Sequence, residues 1–127
     1  MAGTIVADTI QTGAGASTSM ANAVNGSAKA WVQFGALTTT PSINASYNVS
    51  SVTYVTTGVF AVNFTTAMTD ANYVMFGNAY YFSTSNQMII NYSANNPSTA
   101  STCYVSSVNQ ATVAGSGCTF IAVGIFR

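Results

Sequence analysis

Apolar side chains recur along this chain with a period of two, in short runs bounded by Gly, Asn, Ser, Thr or Pro, and helical spacing is nearly absent. The clearest run is Val59-Phe60-Ala61-Val62-Asn63-Phe64. It puts Phe60, Val62 and Phe64 on one face of a strand and Val59, Ala61 and Asn63 on the other. β-Branched and aromatic residues in this rhythm predict strands over residues 4–10, 28–34, 43–49, 52–55, 59–65, 73–82, 87–92, 102–108 and 118–126. Thr57-Gly58 predicts a tight hairpin between 52–55 and 59–65, because glycine accepts the positive φ that such turns require. A second hairpin is expected across residues 83–86, and a third between 102–108 and 118–126. The connection in that third hairpin, 109–117, is long enough to be a functional loop. Short antiparallel strands at fairly regular spacing imply an all-β fold: an antiparallel β-sandwich of jelly-roll type, with a closed barrel as the alternative.

Residues 12–27, rich in Gly, Ala, Ser, Thr and Asn, break the alternation and read as a linker. They divide the chain into an N-terminal strand with its linker, 1–27, and a sandwich body, 28–127. A lone strand cannot bury its faces, so it must pair with the body, with a sister subunit or with another protein. Thr4, Ile5, Val6, Asp8 and Ile10 are the candidate anchoring residues if the partner lies outside the chain; an edge strand of the same domain is the alternative.

Charge narrows the chemistry. Only Asp8, Lys29, Asp70 and Arg127 carry a formal charge among 127 residues, and there is no His or Glu. The two aspartates are 62 positions apart, so a general acid/base pair would need Asp8 and Asp70 to meet in the fold or across subunits. No catalytic or metal-binding residue is assigned and no cofactor is expected. One Lys and one Arg give no field to hold phosphate, so nucleic acid is not an expected partner. Ser, Thr and Asn supply 45 residues and stand in for charge as the polar surface. A chain this neutral either carries a surface of hydroxyls and amides as a monomer or is buried in an assembly, whose interface cores are poor in charge.

No basic start followed by an apolar run marks a signal peptide, and the longest apolar stretch, 120–126, is far below the ~20 residues of a membrane helix. Membrane insertion is not expected. Cys103 and Cys118 match no zinc spacing and are read as free buried thiols, with one disulfide as the alternative.

Four segments resemble bacteriophage tail-fibre and virion-fibre proteins. They are NGSAKAWVQF at 25–34, SYNVSSV at 46–52, VNFTTAMTDANY at 62–73 and IAVGIFR at 121–127. The resemblance implies a non-enzymatic virion structural protein, a short tail or head fibre or knob, that forms a homotrimer, contacts capsid or tail proteins and binds a host-surface glycan. A capsid decoration protein and a small lectin-like module are the alternatives.

Within the matching segments, Trp31 is expected as a core anchor whose truncation would cost roughly 3–5 kcal/mol, or else as a sugar-stacking platform. Asp70, at a turn before a strand, is expected to accept backbone N–H bonds or to pair with Lys29. Arg127 ends a strand at a surface or subunit contact. Receptor contact is assigned to Tyr92, Asn95, Asn96 and Thr99 around loop 93–101 and to Asn109 and Gln110 in loop 109–117; ordinary solvated loops are the alternative.

Overall fold

The computed structural model describes residues 3, 6–15, 17–19, 23, 24, 26–80, 88–93, 95–109, 114, 115 and 118–127. Its strands are β1 Thr9–Gln11, β2 Ser17–Ser19, β3 Ala28–Ala36, β4 Ser42–Tyr47, β5 Val49–Thr56, β6 Val59–Phe64, β7 Val74–Tyr80, β8 Met88–Tyr92, β9 Thr102–Asn109, β10 Ala114–Gly115 and β11 Cys118–Phe126. The expected all-β, antiparallel sandwich is what forms. β4, β3, β11 and β7 follow one another in hydrogen-bonded order and make one layer; β8, β9, β6 and β5 make the other. A single described ladder pair, Ala79 with Met88, joins them.

The layers face each other through the alternation that the sequence displays. Ala30, Val32, Phe34 and Ala36 of β3, with Cys118, Ile121, Val123 and Ile125 of β11, turn inward from the first layer. Phe60, Val62 and Phe64 of β6, with Cys103 and Val105 of β9, meet them from the second. Phe34 and Phe60 touch edge to face across the core at 5.3 Å, and Tyr54 stands edge to face with Phe60 at 5.9 Å. Such pairs add about 0.5–1.5 kcal/mol to the burial of their area.

β4 and β5 are consecutive in the chain yet lie at opposite ends of the strand order, so the sheet rolls until its two ends approach. Asn48 alone makes that corner, with φ 53°, a left-handed conformation that Asn tolerates better than most residues. Its side chain donates to the carbonyls of Lys29 and Thr66, each at 3.1 Å, and accepts the Thr66 N–H at 2.7 Å. One residue thus ties β3, the corner and the segment after β6. The expected turn between β5 and β6 also forms, with Gly58 at φ 74°. Ser107, buried in the core, donates its N–H to the Gly58 carbonyl at 2.7 Å and fixes the hairpin tip to β9.

Three expectations require correction. β9 and β11 do not form a hairpin: β9 lies between β6 and β8, β10 adds to its end, and β11 lies between β3 and β7. The separation of these two strands is as compatible with a crossing between layers as with a hairpin, and alternation does not distinguish the two. Trp31 is not in the core. Ala30 and Val32 on either side of it point inward, so the period of two puts Trp31 outward, 41% exposed. The third concerns the N-terminus: β1 starts at Thr9 and pairs with β2, inside the stretch read as linker, in a two-stranded sheet separate from the body sheet.

Cys103 and Cys118 are free and buried, and burial pushes both thiols up from their ordinary value. Thiolate is the reactive form, so the native protein is expected to resist a chromogenic disulfide reagent at about pH 8 and to label at both cysteines in urea. Rapid labelling without denaturant would mean that the layers open readily.

Candidate functional site: an aromatic sheet face

The first layer is apolar on both sides. Residues paired across its outer face fall in rows: Tyr47, Trp31, Gly124 and Phe76; then Ala45, Gln33, Ala122 and Asn78; then Ser42, Gly35, Phe120 and Tyr80, with Ala28, Phe126 and Val74 at the other end. Phe76 is 68% exposed, Tyr47 58% and Val74 54%. Phe126 meets Phe76 edge to face at 5.9 Å, and Phe120 stacks on Tyr80 at 5.3 Å. No charged side chain occurs in these rows, Lys29 lying at the start of β3 with the outward parity of Trp31, and their hydrogen-bonding side chains are Tyr47, Tyr80, Gln33, Asn78 and Ser42.

Glycine shapes the surface. Trp31 and Phe76 stand on either side of Gly124 and wall a shallow valley of about 530 Å³, floored by Ala122 and Gly124 and flanked by Gln33 and Asn78. A Cβ at Gly124 would lie 3.3 Å from the Phe126 ring and would crowd that floor. Behind it, a Cβ at Gly77 would strike the Ala122 carbonyl, so the approach of β7 to β11 requires glycine there. β11 is paired on both sides, with β3 and β7, and two ring pairs on the face, Phe76 with Phe126 and Phe120 with Tyr80, hold one another.

The residues singled out from the sequence lie in several places. Thr4, Ile5 and Gln110 fall outside the described residues. Val6, Asp8 and Ile10 are exposed, Ile10 paired with Thr18 in the β1–β2 hairpin. In loop 93–101 much of the polar capacity is used by the loop itself. Thr99 accepts the N–H groups of Ser101 and Thr102 at 3.2 and 3.1 Å, and Asn96 donates to Ser93 Oγ at 3.2 Å. Tyr92 donates its hydroxyl to the Tyr73 carbonyl at 2.7 Å and leaves its ring partly exposed; Asn95 is exposed, and Asn109 ends β9.

Asp70 accepts the Asn72 N–H at 2.7 Å, as expected of a turn aspartate, but its ionic partner is Arg127 and not Lys29. Arg127 reaches it with Nε at 3.0 Å and Nη2 at 2.5 Å, a two-pronged contact that ties the end of β11 to the turn before β7. The Arg127 guanidinium, and after it the Asn72 N–H, hold the Asp70 carboxyl below its ordinary value. A carboxylate depressed in the folded state contributes stability above its unfolded pKa and loses it as pH falls through the folded one. The stability advantage of the parent over Asp70→Asn is therefore expected to hold at neutral pH and to shrink below about pH 4 in acid-titrated urea unfolding. An advantage independent of pH would deny the pair that role.

Among the described residues no group of three or more His, Cys, Asp or Glu is placed to hold a metal, and no helix is long and apolar enough to cross a membrane. No family model matches the chain, and neither do any curated proteins or solved structures.

Proposed function

We propose that this chain is a non-enzymatic structural subunit of a bacteriophage virion, a short fibre or knob that assembles as a homotrimer through the outer face of β4–β3–β11–β7. The observation that carries this reading is the uncharged aromatic surface around Trp31 and Phe76. Interface cores are rich in aromatic residues and poor in charge, and an apolar patch of this kind on a soluble domain marks a contact. Self-association accounts at the same time for the face and for a chain with four charges. The setting in a virion, the contacts with capsid or tail proteins and the threefold state rest on the resemblance of the four segments to virion-fibre proteins.

Native mass spectrometry and light scattering of the full chain test the assembly directly, with a trimer as the expected species. A monomer at tens of micromolar would remove the face as a self-interface. The second reading is a glycan-binding module, favoured by one feature: the Gln33 and Asn78 amides beside Trp31 offer neutral hydrogen bonds next to a stacking ring. In that case the monomer, with Trp31 accessible, would bind host envelope polysaccharide, and Trp31 fluorescence would report it.

A further inference from the structure

Lys29 and Arg127 are the only cationic side chains in the sequence, and both line the same depression, of about 550 Å³. The remaining wall comes from the corner between β4 and β5, with Tyr47 and Asn48, and from segment 65–69 after β6. Its volume lies within the roughly 300–1,000 Å³ of small-molecule sites. We propose that this pocket binds a carboxylated sugar, with the carboxylate at Lys29 and Arg127 and the ring hydroxyls on the threonines of segment 65–69. The pocket shares Tyr47 with the edge of the aromatic face, and binding there does not require self-association.

Charge balance selects the ligand. Asp70 occupies Nε and Nη2 of Arg127, which orients the guanidinium and neutralises it while leaving the Nη1 donors unused by that pair. The Lys29 ammonium has no carboxylate partner among the described residues. It donates to the Val24 carbonyl and, at 3.3 Å, to Ser27 Oγ, and an ammonium has three donors, so one has no partner among the described residues. The side chains around the pocket therefore carry one uncompensated positive charge, suited to a monoanion such as a carboxylate and less to a phosphate dianion. Beyond the charges the walls are neutral. Thr65, Thr66 and Thr69 are exposed, Tyr47 offers an exposed ring for the apolar face of a pyranose, and Ala67 and Met68 complete an apolar flank. Asn48 holds the floor in place through its bonds to Thr66 and to the Lys29 carbonyl, so little ordering is left for binding to impose.

The test is an amide NMR titration of the full chain with sodium glucuronate, glucose and inorganic phosphate at constant ionic strength. Glucuronate is expected to shift the resonances of residues 65–69 saturably, and glucose and phosphate to bind at least about tenfold more weakly, since each lacks part of the match. Lys29→Gln is expected to weaken glucuronate about tenfold, and Thr66→Val, which leaves the backbone bonds of Thr66 to Asn48 in place, by a smaller factor of about three. No saturable shift with glucuronate, glucose binding as tightly as glucuronate, phosphate binding more tightly, or unchanged glucuronate affinity in a folded Lys29→Gln protein would each overturn the proposal. If Lys29→Gln perturbs the fold through its loss of the Val24 contact, Thr66→Val decides the matter alone, and unchanged affinity there counts against the site.

Discussion

Truncating Phe60 to alanine is expected to remove about 3–5 kcal/mol of unfolding free energy, the range for deleting a buried aromatic ring. Phe60 is 1% exposed, and its ring is the meeting point of the two layers, edge to face with Phe34 and with Tyr54. β6, which carries it, is paired on both sides, with β5 and with β9, so the backbone there has little freedom to collapse into the space left behind. Domains of this size are stable by roughly 5–15 kcal/mol, so the loss is a large fraction of the total. Urea unfolding followed by Tyr and Trp fluorescence measures it. A loss below about 1 kcal/mol would mean that Phe60 is not at a packed contact, and the assignment of the core would fail with it.

The second large effect is on assembly. Replacing Trp31 and Phe76 together by serine is expected to convert the assembled protein to monomer at concentrations where the parent remains associated. Truncation of a central interface aromatic commonly costs 2 kcal/mol or more, and each protomer would lose two. The effect on the fold of the single chain should be much smaller, about 1 kcal/mol, because both side chains project from the outer face, exposed and with no second layer of described residues above them. Light scattering and urea unfolding on the same sample separate the two. A double variant that stays associated places the interface elsewhere, on the exposed β4 edge or the β1–β2 hairpin. A double variant that unfolds would make Trp31 the structural anchor that the sequence first suggested.

That contrast shows where the sequence could be read and where it misled. The size of Trp31 favoured the core, yet its immediate neighbours Ala30, Val32 and Phe34 already defined the inward parity of β3. Parity was the better guide than bulk. In β7 and β11 it gave no guidance, because Val74, Phe76, Phe120 and Phe126 make both faces of those strands apolar. A strand that is apolar on both sides is the sequence signal of a second covered face, and it identifies Phe76 and Phe126 as candidate contact residues. The pocket of Lys29 and Arg127 had no such signal: its walls come from residues 29, 47, 65–69 and 127, which are gathered only when the chain crosses between layers.

By itself the sequence determined the all-β class, the extents of β6 and β11 to within a residue, the Thr57-Gly58 turn, the inward face of Phe60, Val62 and Phe64, and the burial of both thiols. These follow from period-two alternation and from φ preferences, which act over a few neighbouring residues. Only the tertiary structure decided that β11 lies between β3 and β7, that Asp70 pairs with Arg127, and that Trp31 stands across Gly124 from Phe76. Those outcomes depend on which strands become neighbours. That choice is made by the packing of whole layers, and strands with nearly the same alternation leave it open until the core closes.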